Sequence, residues 1–264
     1  MKAAFKLSAL VAVVMLVQSA LGLLFRSQYR DVEWITATWL GNDWVTLVLA
    51  LPLLSAGIVM TRRGSVRGLL LWLGTLGYAI YNSAYYLFGA ALNAFFPVYV
   101  AAVILAAAAL ILALSSVAPS AIVRRFRAGT PARLVGGYFV FVAISLAAVW
   151  LGTWSAYIFA GRPTPIEPEA FKLVAALDMV LMVPILATGG ILLWRSKVWG
   201  YIVSAIAGVQ GSLYLIVLTV NSSIAVARGL TPAPGEMPLW GGLAAMTTAA
   251  TVMLLRNADG TMEA

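Results

Sequence analysis

The chain has 264 residues, 62% of them apolar and only 10% charged, with a formal net charge of +8 and neither histidine nor cysteine. Soluble globular domains carry about a quarter of their residues as charged side chains, so so much apolar surface is ill suited to water. The missing imidazoles and thiols remove disulfides, thiolate nucleophiles, zinc and haem ligation and histidine acid–base catalysis.

Lys2 and Lys6 precede an apolar run that continues through Leu21, Leu23, Leu24 and Phe25. Gln18-Ser19-Ala20 imitates a signal cleavage site, but Gln18 fits the small-residue rule badly. Residues 5–25 therefore read as an uncleaved first span. Residues 31–41 place Val32, Ile35 and Trp39 at helical spacing opposite Asp31 and Glu33, which predicts a short helix lying on the outer surface. Asn42 or Asp43 is then expected to cap a second span over 44–60. Further spans are predicted over 68–89, 96–117, 134–157, 171–194, 199–223 and 237–255. Each approaches the roughly 20 apolar residues that a bilayer core requires, and each must be helical because a lone strand leaves its backbone unpaired in lipid. Pro163, Pro165 and Pro168 predict an extended connection before the sixth span.

The predicted fold class is thus an all-α integral membrane protein with eight transmembrane helices. Twelve basic residues fall on one side of this parse, at the N-terminus, the even-numbered loops and the C-terminus. Five fall on the other: Arg26, Arg30, Arg162, Lys172 and Arg228. The positive-inside rule makes the richer side cytoplasmic and puts both termini there. The same rule accounts for the basic balance without nucleic acid. The cluster Arg124, Arg125 and Arg127 is placed to meet anionic lipid headgroups, although topology alone also explains it.

The second and sixth spans share a pattern. Pro52, Leu54, Gly57, Val66 and Gly68 match Pro184, Leu186, Gly189, Val198 and Gly200, each pair 132 residues apart. This predicts a 4+4 direct repeat of halves 1–132 and 133–264, related by an axis along the membrane normal. Pro52 and Pro184 each remove a backbone donor and are expected to kink their helices.

Asp178 reads as the one acid inside an apolar span, so it should face the bundle interior. Tyr78, Tyr81, Asn82 and Tyr85 share a helix face; Gln210 and Tyr214 share another, and Trp154 lies on a third. By depth these groups converge with Asp178 on a cavity in the outer half, suited to a small amphipathic or cationic ligand. Interhelical hydrogen bonding and an aromatic belt are the plainer reading of the same residues. There is no phosphate-binding loop, metal-ligand cluster or nucleophile elbow, so no metal, cofactor or catalytic residue is expected.

The stretches Tyr78-Ala-Ile-Tyr-Asn-Ser-Ala-Tyr-Tyr-Leu-Phe-Gly and Leu177-Asp-Met-Val-Leu-Met-Val-Pro184, with Trp199-Gly-Tyr201 after the latter, carry a resemblance. The chain resembles a group of bacterial integral membrane proteins of similar length that have no assigned activity. The resemblance implies a place in the bacterial cytoplasmic membrane and transfers no functional residue. Three functions stay open: a small-molecule transporter or ligand-binding membrane protein, a non-catalytic scaffold or accessory subunit, and an enzyme acting on lipid-linked substrates. The last is disfavoured because a single buried acid leaves few acid–base partners.

Overall fold

A computed structural model describes residues 1–230 and 236–258. Among them the regular structure is helical. The long helices are α1 Lys2–Leu24, α2 Glu33–Arg62, α3 Val66–Gly89, α4 Phe96–Ser115, α5 Ala132–Ala160, α6 Pro168–Trp194, α7 Val198–Ala227 and α8 Glu236–Arg256. A single-turn helix, Pro119–Val123, lies between α4 and α5.

Seven of these helices are long and apolar enough to cross a membrane, as a multi-pass membrane protein requires. The exception is α3, and its position explains its composition. It buries 17 of its 24 residues, including Trp72, Tyr78, Tyr81 and Tyr86. A helix surrounded by protein is selected for close contact and internal hydrogen bonds, so it carries glycines, tyrosines and an asparagine where a peripheral helix carries leucine. In contrast, α5 buries five of its 29 residues and turns Phe141, Ile144 and Val149 outward. Such outward apolar surface is matched to a lipid surround.

Two local expectations are corrected. The surface helix over 31–41 and the span over 44–60 are one continuous helix, α2. Asn42 and Asp43 accordingly sit in its middle, buried, and cap nothing. The buried face runs from Ala37 and Leu40 through Gly41, Asn42 and Asp43 to Val45, so these turn-forming residues are carried inside the helix by their burial. The segment 161–167 is irregular, as its prolines predict.

The prolines act through one widened turn each. In α2 a π-type turn spans Thr46–Ala50, directly ahead of Leu51-Pro52. In α6 another spans Asp178–Met182, directly ahead of Val183-Pro184. Widening the turn absorbs the hydrogen bond that a proline cannot make.

Helix α3 packs against α2, α4 and α7, and α7 packs against α2, α6 and α8. Glycines set the closest approaches. A Cβ on Gly57 would lie 2.7 Å from the backbone nitrogen of Trp72, and one on Gly189 would lie 3.0 Å from that of Ser204.

Several contacts gather at one end of the bundle. The Met1 ammonium donates to Ser116 Oγ at 2.9 Å, and the Arg62 guanidinium lies 5.1 Å over the Phe5 ring. Arg67 Nε donates to the Ala258 carbonyl at 2.7 Å, and its Nη2 to that of Arg256 at 3.0 Å. The Arg127 amide donates to the Asn257 carbonyl at 2.9 Å. The first residue and the last described residues therefore sit at the same end. Arg67→Ala removes the charged donors that tie α3 to the end of α8. It is expected to lower stability by about 1–3 kcal/mol, read as a lower thermal midpoint in detergent. An unchanged midpoint would show that the clamp contributes nothing.

Candidate functional site

Residues 78, 81, 82 and 85 recur at helical spacing, so α3 presents Tyr78, Tyr81, Asn82 and Tyr85 along one face. That face meets Tyr214 and Asn221 on α7, Asn42 on α2 and Val174 on α6 around a chamber of about 50 Å³. The volume admits a few waters and no drug-sized molecule. The lining is rich in neutral polar groups. Tyr78 Oη lies 3.2 Å from Thr46 Oγ1, Asn82 Nδ2 donates to Thr46 Oγ1 at 3.4 Å, and the carboxamides of Asn42 and Asn221 face each other at 3.2 Å. Val217 and Leu218 complete the wall.

Asp178 is buried behind this chamber and does not line it. Tyr81 Oη donates to its Oδ1 at 2.6 Å, and Trp150 Nε1 donates to its Oδ2 at 3.0 Å. The Tyr81 ring is edge-on to Tyr214 at 4.8 Å between centroids. Tyr81 thus joins the carboxyl to the chamber, because its side chain belongs to both.

Five of the eight site residues expected from sequence line the chamber together: Tyr78, Tyr81, Asn82, Tyr85 and Tyr214. Asp178 is one hydrogen bond away. Gln210 is not in the lining; its amide reaches Met182 Sδ at 4.0 Å and packs beside Gly77. Trp154 is not brought in at all. It is 47% exposed on the outer flank of α5, edge-on to Phe159.

A second buried acid corrects the expectation that Asp178 stands alone. Asp43 is fully buried, accepting from Tyr29 Oη at 2.6 Å and from Tyr86 Oη at 2.8 Å. Tyr86 Oη also lies 3.0 Å from the Trp39 carbonyl, so its one proton is shared between the two acceptors, and the rings of Tyr29, Trp39, Tyr86 and Tyr99 pack around the group. Burial, reinforced by the neighbouring Asp43 carboxyl, pushes the Tyr29 phenol well above its ordinary range, so it stays a donor throughout physiological pH. The signal in the sequence was the unbroken helical periodicity through Asn42-Asp43, which places Asp43 inside a helix and not at its start.

A larger groove lies between the N-terminal half of α2, the end of α3 and the first half of α6, with a volume of about 700 Å³. Trp34, Trp39, Phe88 and Leu173 line it, and Glu167, Glu169 and Lys172 stand where α6 begins. Tyr85 and Val174 line both the groove and the chamber. They are the shared wall between the two spaces. Among the described residues no cluster of acids forms a metal site.

No protein-family model, no curated protein and no solved structure matches the chain.

Proposed function

We propose that this chain is an eight-span protein of the bacterial cytoplasmic membrane, with both termini cytoplasmic, that binds and moves a small molecule through the chamber between its halves. The carrying observation is that Tyr85 and Val174 alone line both the polar chamber and the outer groove. A closed chamber and an open groove on two sides of one wall, the half-buried Tyr85 beside Val174, describe a path shut at that wall.

Several features support the finer architecture. The first and last described residues share one end of the bundle, which an even number of crossings requires, so α3 counts as the eighth span. Arg62, Arg67, Arg127 and the cluster with Arg124 and Arg125 belong to that end, as a cytoplasmic face does. The π-type turns at Thr46–Ala50 and Asp178–Met182 are 132 residues apart, as are the starts of α3 and α7. Gly57 meets the Trp72 amide and Gly189 meets that of Ser204, again at that separation. A 4+4 repeat accounts for all of these pairs, and binding between repeats is the usual arrangement in transporters.

The chain has no cysteine, so a single introduced thiol reports its own exposure. Asn82→Cys is expected to react slowly with a membrane-impermeant methanethiosulfonate in intact cells. Adding Tyr85→Ala should raise that rate on the order of tenfold, the change expected when a local opening of about 1.4 kcal/mol is no longer needed. Equal rates with and without Tyr85 would refute the path. The small chamber volume favours one other reading, a non-catalytic scaffold whose polar residues only pack. In that case neither variant labels.

A further inference from the structure

The groove outside Tyr85 has a chemistry of its own. At one end, where α6 begins, stand the carboxylates Glu167 and Glu169. Lys172 pairs with Glu169, which leaves Glu167 uncompensated among the described residues and the mouth net negative. Below the carboxylates the walls become aromatic, with Trp34, Trp39, Tyr85 and Phe88. From Glu167 the lining follows α6 down to Val180, a run of about 20 Å at 1.5 Å per residue. This lower part is apolar throughout, with Leu173, Val174, Ala176 and Leu177. Its flank is open: Phe88 is 67% and Val180 70% exposed, so the trough is open sideways to the apolar surround.

We infer that this groove binds a lipophilic cation, a single-chain amphiphile with an ammonium head at the aromatic and carboxylate mouth and its tail along α6. Each part of the ligand answers one part of the site. Aromatic faces beside carboxylates attract an ammonium through the ring quadrupole and simple charge. An anionic head would meet Glu167 directly. A narrow apolar trough open to the bilayer takes one chain and lets it arrive from the membrane. The volume of about 700 Å³ is that of a small-molecule site. The inference deepens the proposed function by naming a ligand class for the outer groove, and rests on that reading only for what happens past Tyr85.

The test uses the full chain in nanodiscs of zwitterionic lipid. Brominated decyltrimethylammonium, decyl sulfate and decanol are added below their micellar concentrations, and quenching of tryptophan fluorescence is followed. The cation is expected to quench saturably, about tenfold more tightly than the sulfate, with decanol between them. Glu167→Gln combined with Glu169→Gln, at exposed positions, should reduce that preference severalfold without changing the thermal midpoint. Ala176→Trp, which fills the trough at an exposed position, should remove the saturable component. Saturable binding of all three probes with equal affinity, purely linear quenching by the cation, or a preference indifferent to the two carboxylates would each overturn the inference. If the cation fails to bind while Asn82→Cys labelling still depends on Tyr85, the ligand class is wrong and the path stands. If the cation binds and the labelling is indifferent to Tyr85, the groove is a site without a path.

Discussion

Replacing Gly200 by alanine is expected to prevent α6 and α7 from docking. The added Cβ would lie 2.6 Å from Leu193 Cα and closer still to the backbone of Leu192 and Leu193. Those are main-chain atoms of a packed helix, so relief requires the two helices to separate. Ordinary overpacking costs about 1–3 kcal/mol, and a backbone collision exceeds that range. Gly68→Ala makes the matching collision in the first half, 2.7 Å from the Thr61 nitrogen and 2.8 Å from the Met60 carbonyl carbon. Gly152→Ala is the control, because nothing lies within 4 Å of a Cβ there. It is expected to leave stability unchanged or raise it by up to about 1 kcal/mol through helix propensity. Size-exclusion profiles of detergent extracts read the difference. Monodisperse Gly200→Ala protein with an unaltered thermal midpoint would contradict the close packing described for α6 and α7.

Asp43→Leu is expected to be nearly as damaging. It removes the acceptor of two buried phenols and strips Tyr29 Oη of its hydrogen bond to Asp43, while Tyr86 Oη keeps the Trp39 carbonyl. One buried donor left unpaired costs about 1–3 kcal/mol, and a loss in that range is expected. Asp43→Asn keeps one acceptor oxygen and should lose less. The informative variant is the double change with Tyr29→Phe, which deletes the orphaned donor along with its partner. It should recover part of the loss, giving a coupling energy of about 1 kcal/mol or more. Additive effects would mean that the Tyr29–Asp43 hydrogen bond is not a determinant of the fold. Because Tyr29 remains protonated through the neutral range, its ionisation should add no pH dependence to the result.

Much of the architecture was legible because lipid imposes simple rules on sequence. The apolar runs and their lengths located the seven helices that meet the span criteria. The interior helix was read as an apolar run over 68–89 like the others, yet it falls outside those seven, since Trp72, Tyr78, Tyr81 and Asn82 answer to neighbours and not to lipid. Helical spacing correctly grouped Tyr78, Tyr81, Asn82 and Tyr85, a purely local property. It misjudged Gln210 and Trp154, because one turn of depth and the rotation of a helix about its axis are set by packing across the bundle. Asp43 was missed because Asn-Asp ahead of an apolar run imitates a cap. Only the phenols of Tyr29 and Tyr86, brought from the segment after α1 and from α3, show that it is buried. The groove was invisible for a similar reason: its walls come from three helices distant in sequence.

Helix α3 carries most of the polar chamber lining, so its passage through the bilayer is the claim on which the rest depends. Arg63 and Leu92 flank it, and both are exposed. With single cysteines at these positions and a membrane-impermeant thiol reagent, Leu92→Cys should label in intact cells and Arg63→Cys only after the membrane is opened. Labelling of both from the same side would mean that α3 does not cross, and that the chamber does not lie between two membrane-spanning halves.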